Sequence, residues 1–317
     1  MQFCHRIPNL HKKGLLFLRR YRNLWEKLCN FAIMRHAYLI LAHNQWQLLD
    51  TLINCIDDER NDIYVHIDAK VRDLPELHTQ RAGLTILNDR VDVRWGDLSV
   101  VEAEYALFQA AVKCGPYAYY HLLSGADLPL KSQDYIHNFC NEHQGKEFIG
   151  YTLTEITPEV VRKAQRWHLF PRSFRSGNIL VRALRAGCLR VQELCGIKRN
   201  KDVEFKKGTQ WVSVTDGMAR HFLANKEWTR KTFTHTFCSD EMVIQTLCWH
   251  SPFRVNIYST TSDAEGCMRA IGWKDGCLYD WTANDYDKLS HSDALFARKF
   301  NTNDSAFIAR IQSLSNE

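Results

Sequence analysis

The chain has 317 residues, of which 45% are hydrophobic and 24% charged, and a formal net charge of +5. That mixture is ordinary for a soluble globular protein, and the length suits one large α/β domain or two small ones. The charge is local. Residues 1–33 hold seven Lys and Arg against the single acid Glu26, which leaves the rest of the chain at −1, so a nucleic-acid partner is disfavoured.

In that basic tail Leu15-Leu16-Phe17-Leu18 is the only apolar run, and Arg19-Arg20 ends it. A bilayer span needs ~20 apolar residues, and a secretory signal needs a small-residue cleavage site, which is absent here. Residues 1–33 therefore read as a tail outside the fold: a mobile arm, a membrane-surface helix or an upstream translation start. Residues 34–317 read as the domain. The 11 cysteines are odd in number and form no Cys-x-x-Cys pair, which argues against a zinc site or a disulfide framework and for reduced, buried thiols. A cytoplasmic location is expected, peripheral at the inner face of a membrane.

His36 to Ala42 is an uncharged apolar run that predicts a buried strand. Trp46, Leu49, Ile53 and Ile56 recur at helical spacing and predict a helix over 45–57. Asp62 to Ile67 predicts a second strand, ending in Asp68-Ala69-Lys70. Leu84–Leu87 and Val91–Arg94 predict shorter ones. Ser99 and Glu102 have capping-box spacing ahead of a helix with Ala103, Leu107, Ala110 and Ala111 on its apolar face.

The stretch from Tyr117 to Leu123 predicts a strand buried on both faces. It stops at Ser124-Gly125, where the backbone can turn and approach a ligand, and Asp127 follows at the carboxyl edge. Ligands of open α/β sheets sit outside that edge, so Ser-Gly-x-Asp is a candidate site floor. A helix over 133–142 and a strand at Glu147–Gly150 come next. The alternation of strand and helix predicts an α/β fold: a mixed, mostly parallel sheet with helices on both faces. Neither Gly-x-Gly-x-x-Gly nor Gly-x-x-x-x-Gly-Lys-Ser/Thr occurs, so the common dinucleotide and P-loop signatures are missing.

From Arg162 to Lys201 there are eleven Lys and Arg and one acid, Glu193. Leu180, Leu184, Gly187, Val191 and Leu194 share a helical face with Arg182 and Arg185 opposite. The simplest expectation is a helix packed on the sheet by its apolar face. The functional alternative is a rim meeting an anionic acceptor or a membrane surface. Lys207 to Val214 predicts a turn into a strand, followed by a helix from Asp216 to Ala224. Ser239-Asp240-Glu241 is expected to cap a helix over 242–249. Short strands near Val255 and at Arg269–Ile271, a turn at 274–276, the segment Leu295–Phe300 and a helix over 303–313 complete the chain.

Acids thus stand at strand ends or helix starts (Asp68, Asp127, Glu241), with cations late in the chain (Arg269, Arg298, Lys299). A nucleotide-sugar transferase needs such an inventory: a carboxylate to take the acceptor proton, and a metal or Arg and Lys to meet the leaving diphosphate. A metal-dependent site would place Asp-x-Asp after the central strand, and this chain has Gly125-Ala126-Asp127 there. Its one literal Asp-x-Asp, Asp285-Tyr286-Asp287, is better explained by helix capping. A metal-free site, with no cofactor, is therefore expected.

Seven blocks in order carry a resemblance. They are Ala37–His43, His66-Ile67-Asp68-Ala69-Lys70, Val93-Arg94-Trp95-Gly96 with Ser99, Leu122–Pro129, Gly208-Thr209-Gln210-Trp211, Ser239-Asp240-Glu241 and Leu295–Phe300. The sequence resembles the core-2/I-branching glycosyltransferases, which include β-1,6-N-acetylglucosaminyltransferases and peptide O-xylosyltransferases. The resemblance implies a GT-A-like single domain, an inverting mechanism and a UDP-sugar donor without a metal. It implies Glu241 as catalytic base, Arg269 and Lys299 on the diphosphate with Arg298 beside them, Asp68 on the uridine with Trp95 nearby, and Asp127 in the donor site. Glu155, Lys163 and Arg166 reproduce a Glu-x7-Lys-x2-Arg spacing that binds the acceptor sugar in animal members. The chain looks like a compact bacterial relative, without the stem and disulfide pattern of Golgi members.

The expected function is transfer of N-acetylglucosamine from UDP to a hydroxyl of a glycan or lipid-linked glycan. UDP-xylose transfer is the alternative within the class. A non-catalytic glycan- or nucleotide-binding module is the alternative outside it, and such a module would have no need of Glu241.

Overall fold

A computed structural model of the chain describes residues 35–152, 157–275 and 277–316. The basic tail and Glu155 lie outside the described residues.

Five strands form the central sheet: β1 (His36–Ala42), β2 (Asn61–Ile67), β3 (Gly83–Ile86), β4 (Tyr119–Ser124) and β6 (Ser213–Val214), in the order β3-β2-β1-β4-β6. All neighbours are parallel except β4 and β6. A smaller sheet joins β5 (Asp127–Pro129), β10 (Phe296–Arg298) and β7 (Arg269–Ile271) in that order. β8 (Trp273–Lys274) and β9 (Cys277–Leu278) form a separate antiparallel pair.

The two-residue period of β1 shows why both sheet faces are covered. Tyr38, Ile40 and Ala42 join one apolar core, with Leu49 and Ile53 of α1 (Trp46–Cys55) and Phe296 of the small sheet. Ala37 and Leu39 join the other, with Val101, Tyr105 and Phe108 of α2 (Ser99–Cys114). The remaining helices are α3 (Gln133–Glu142), α4 (Pro158–Ala164), α5 (Ile179–Leu194), α6 (Asp216–Ala224), α7 (Lys226–Phe233), α8 (Val243–Trp249), α9 (Asp263–Cys267), α10 (Tyr286–Ser290) and α11 (Ser305–Leu314). This is the expected α/β arrangement, and a backbone that feeds four strand ends toward one edge positions the site.

Several local expectations are corrected. Val91–Arg94 forms no strand; the Val91 amide instead donates to His66 Nε2 at 2.8 Å. Glu147–Gly150 shrinks to two isolated bridges, Glu147 with Ile257 and Phe148 with Ser213. Val255 lies in a 3-10 turn, Pro252–Asn256. Ser99 is inside its helix rather than capping it: Asp97 accepts the Ser99 amide at 2.8 Å, and Glu102 pairs with Arg230 at 2.7 Å. Ser239 begins a 3-10 turn, Ser239–Glu241, and makes no side-chain cap. Capping does account for Asp285, whose carboxylate closes a capping box with Thr282.

The largest correction is α5. It forms at the expected place but faces the other way: Leu189 and Gln192 are buried, while Leu180, Leu184, Val191 and Leu194 are exposed. Arg185, expected outward, turns in and donates to the Ser173 and Phe174 carbonyls at 3.3 and 3.4 Å.

Candidate active site

A cavity of about 890 Å³ opens where the strand ends converge. Its floor is Leu41–Gln45 at the end of β1, Asp68 after β2 and Ser124–Ala126 at the end of β4. Gly125 permits this convergence, since a Cβ there would stand 3.3 Å from the Ala42 Cβ. The Asp127 carboxylate turns back beneath the floor. It accepts the Ser124 amide at 2.9 Å and the Ser124 hydroxyl at 2.7 Å, and Arg298 Nε lies 3.6 Å away.

One wall carries Asp68. It is nearly buried and accepts both the Lys70 amide, at 2.9 Å, and Lys70 Nζ, at 2.6 Å. Lys70 also reaches Asp92 at 3.1 Å, and Asp92 in turn holds Arg172 at 2.8 Å. Trp95 stands half-exposed on the same side. Its ring packs edge-on to Phe237, with centroids 5.4 Å apart, and the Arg175 guanidinium lies over it at 4.5 Å.

The opposite wall comes from the 3-10 turn before α8 and from the small sheet. Glu241 Oε2 meets Lys163 Nζ at 3.0 Å and Lys207 Nζ at 3.7 Å, and both lysines also hold Glu159 at 2.9 Å. Burial opposes the charge on Lys163, but Glu241 and Glu159 outweigh it and raise its pKa. The two lysines pull Glu159 down to about 2. Asp240, partly exposed on the cavity wall, is pushed up to about 7 by the burial of its carboxyl and then by the charge of Glu241. Arg298 lies over the Trp211 ring at 4.0 Å; burial presses its pKa down, against Asp127 and Asp240. Lys299, next in β10's direction, is more open and sits 3.4 Å from Asp280.

The cavity therefore joins the partly exposed carboxylate of Glu241 to a set of cationic side chains: Arg172, Arg175, Lys207, Arg298 and Lys299. A family model, Core-2/I-Branching enzyme, matches residues 36–303 of this chain. The chain belongs to the core-2/I-branching enzyme family. No curated protein matches it. It is a glycosyltransferase with a GT-A-like fold, and so takes a sugar donor and an acceptor.

The branching-enzyme cavity gathers Asp68, Trp95, Glu241, Arg298 and Lys299, as the sequence led us to expect. It does not gather Arg269. That guanidinium is buried beneath the floor, donating to Cys267 O at 2.7 Å, Val212 O at 3.1 Å and Ser213 Oγ at 2.8 Å, over the Phe296 ring. Asp127 is likewise a support under the floor rather than part of the wall. Lys163 reaches the site through Glu241, whereas buried Arg166 donates to the Ile197 carbonyl and lies outside the lining. Lys207, Arg172, Arg175 and Asp240 were missed as site residues. The first adjoins the Gly208 block and the last adjoins Glu241, so proximity was a usable signal; for the two arginines only the basic span hinted.

Proposed function

We propose that this branching-family enzyme transfers N-acetylglucosamine from a UDP-sugar to a glycan hydroxyl, in the β-1,6 manner, with inversion and without a metal. One observation carries the reading: Glu241, on the 3-10 turn before α8, shares a cavity with Arg298 and Lys299 at the end of β10. Both lysine contacts engage Glu241 Oε2, so Oε1 would take the acceptor proton. The acceptor oxygen would then attack the anomeric carbon as the bond from that carbon to the β-phosphate oxygen breaks. A single displacement inverts the anomeric centre. The electron pair leaves with UDP, and Arg298 and Lys299 would meet the growing charge, Arg with two parallel hydrogen bonds and Lys as a point charge. Asp68 would face the uridine and Trp95 would flank it. Lys163 would hold the Glu241 carboxylate in place and meet the incoming acceptor.

The test is a donor screen that follows UDP release, with and without EDTA, for wild type and Glu241→Gln. UDP-N-acetylglucosamine should be turned over, EDTA should leave the rate intact, and Glu241→Gln should lower turnover ~10²–10⁴-fold with donor binding little changed. Preference for UDP-xylose would move the reading to pentose transfer. Activity lost to EDTA and restored by Mn²⁺ would overturn the metal-free mechanism. Donor binding with no turnover on any acceptor would favour a binding module.

A further inference from the structure

We infer that α5 docks this protein onto an anionic lipid bilayer. The inference stands on the outward face of the helix and not on the sugar chemistry proposed above. Ile179, Leu180, Leu184, Val191 and Leu194 are 75, 71, 59, 56 and 73% exposed. They cover more than four turns of one helix, and the small residue Gly187 lies among them on the same face. Singly exposed apolar residues are common, but a contiguous leucine stripe on a solvent face marks a contact surface.

Charge identifies the partner. From Arg162 to Lys201 the chain carries eleven Lys and Arg, of which Arg166 and Arg199 are buried and Lys163 and Arg185 are turned inward, against Glu193 alone. Arg182, Arg190, Lys198 and Lys201 are exposed on or just after the helix. An apolar stripe flanked by basic residues suits an interface of acyl chains beneath anionic headgroups, and each basic residue near such a surface strengthens binding about 5-fold. α5 has 16 residues and three arginines, so it would lie in the plane of the interface rather than cross it. Its inner face is tied to the active-site wall: Arg185 bonds the Ser173 and Phe174 carbonyls, and Ser173, Arg172 and Arg175 line the cavity. Docking would thus bring the cavity's rim to the headgroups, within reach of a glycan carried on a lipid.

The experiment uses the full chain and flotation with two kinds of vesicle, phosphatidylcholine alone and phosphatidylcholine with about one-third phosphatidylglycerol. Wild type should float with the anionic vesicles and not the neutral ones, less so as salt rises. Leu180→Ser/Leu184→Ser should reduce binding at least ~10-fold at every salt concentration, and Arg182→Glu/Arg190→Glu by a similar factor at low salt only. Unchanged melting temperatures should accompany both. Wild type that does not float overturns the inference. So do variants that bind like wild type, because the basic tail would then carry the binding. A wild-type dimer that Leu180→Ser/Leu184→Ser converts to monomer assigns the stripe to a second copy, and a variant that melts several degrees lower assigns it to another part of this chain; either result overturns lipid docking.

Discussion

Asp240 is where the site and stability meet. Burial, and then the neighbouring charge of Glu241, push its carboxyl up to about 7. In the unfolded chain an aspartate titrates near ~3.9. Between those values the folded protein holds a proton that the unfolded chain has lost, so stability falls as pH rises through that window. Asp240→Asn removes the titration. Its melting temperature should equal that of wild type near about pH 4 and exceed it increasingly up to about pH 7, by a few kcal/mol of stability at most. A gap that stays constant across the window would mean that Asp240 remains ionised in the folded protein. At this scale the sequence was a fair guide to identity and a poor one to depth. Asp68, Glu241 and Lys299 sit at element ends, where polar side chains reach a cavity, and were legible. Arg269 and Asp127 also sit at element ends, yet both point beneath the floor, and nothing in their local sequence distinguishes the two directions.

At the scale of elements, the segment Lys207–Trp211 is held by a close backbone approach. The Gly208 amide donates to the Glu241 carbonyl at 2.9 Å, and a Cβ on Gly208 would lie 1.8 Å from the Gly150 carbonyl oxygen. Neither group is the far end of a flexible side chain, so relief requires moving backbone. Gly208→Ala should therefore cost ~2–4 kcal/mol of stability and, by displacing the Glu241 turn and Lys207 together, lower turnover more than it alters donor affinity. A variant with wild-type melting temperature and turnover would show that this approach is looser than its geometry. The sequence disclosed the long apolar strands and the helices with strong periodicity, β1, β2, β4, α3 and α6, because a buried face imposes its period on composition. It concealed α4 and α7, which are short and polar, and, although it disclosed β7, it did not show that β7 pairs with β10 and β5 in a small sheet, whose three-residue strands have no period to read. α5 was legible as a helix but its orientation was not, since an amphipathic pattern specifies two faces without saying which meets the core.

At the scale of the whole molecule, Arg269 joins the two sheets. It belongs to β7 of the small sheet, and its guanidinium reaches Val212 O and Ser213 Oγ at the β6 edge of the large one. Ser213 Oγ also meets His121 Nδ1 at 2.7 Å, and His121 Nε2 meets His36 Nδ1 at 3.0 Å, so a polar chain runs through the core from β7 to β1. Burial drives both histidines well below their ordinary pKa, and the nearby Arg269 charge adds to this for His121. They are therefore neutral, each with one ring nitrogen to donate and one to accept. A buried guanidinium tolerates its desolvation only while these acceptors remain. Arg269→Met keeps length and apolar bulk but leaves the Cys267 carbonyl without its donor and takes one partner each from Val212 O and Ser213 Oγ, which keep the Leu122 amide and His121 Nδ1. Such losses cost ~2–4 kcal/mol, which corresponds to a fall in melting temperature of roughly 3–6 °C for a domain of this size. Because the guanidinium does not line the cavity, donor KM among the folded molecules should be unchanged. Lys299→Ala supplies the contrast, with donor KM raised, kcat lowered and melting temperature nearly that of wild type, as expected for a half-exposed side chain on the cavity wall. If Arg269→Met instead raised donor KM without loss of stability, Arg269 would have to turn through the floor when the donor binds, and the two sheets would have to part to let it.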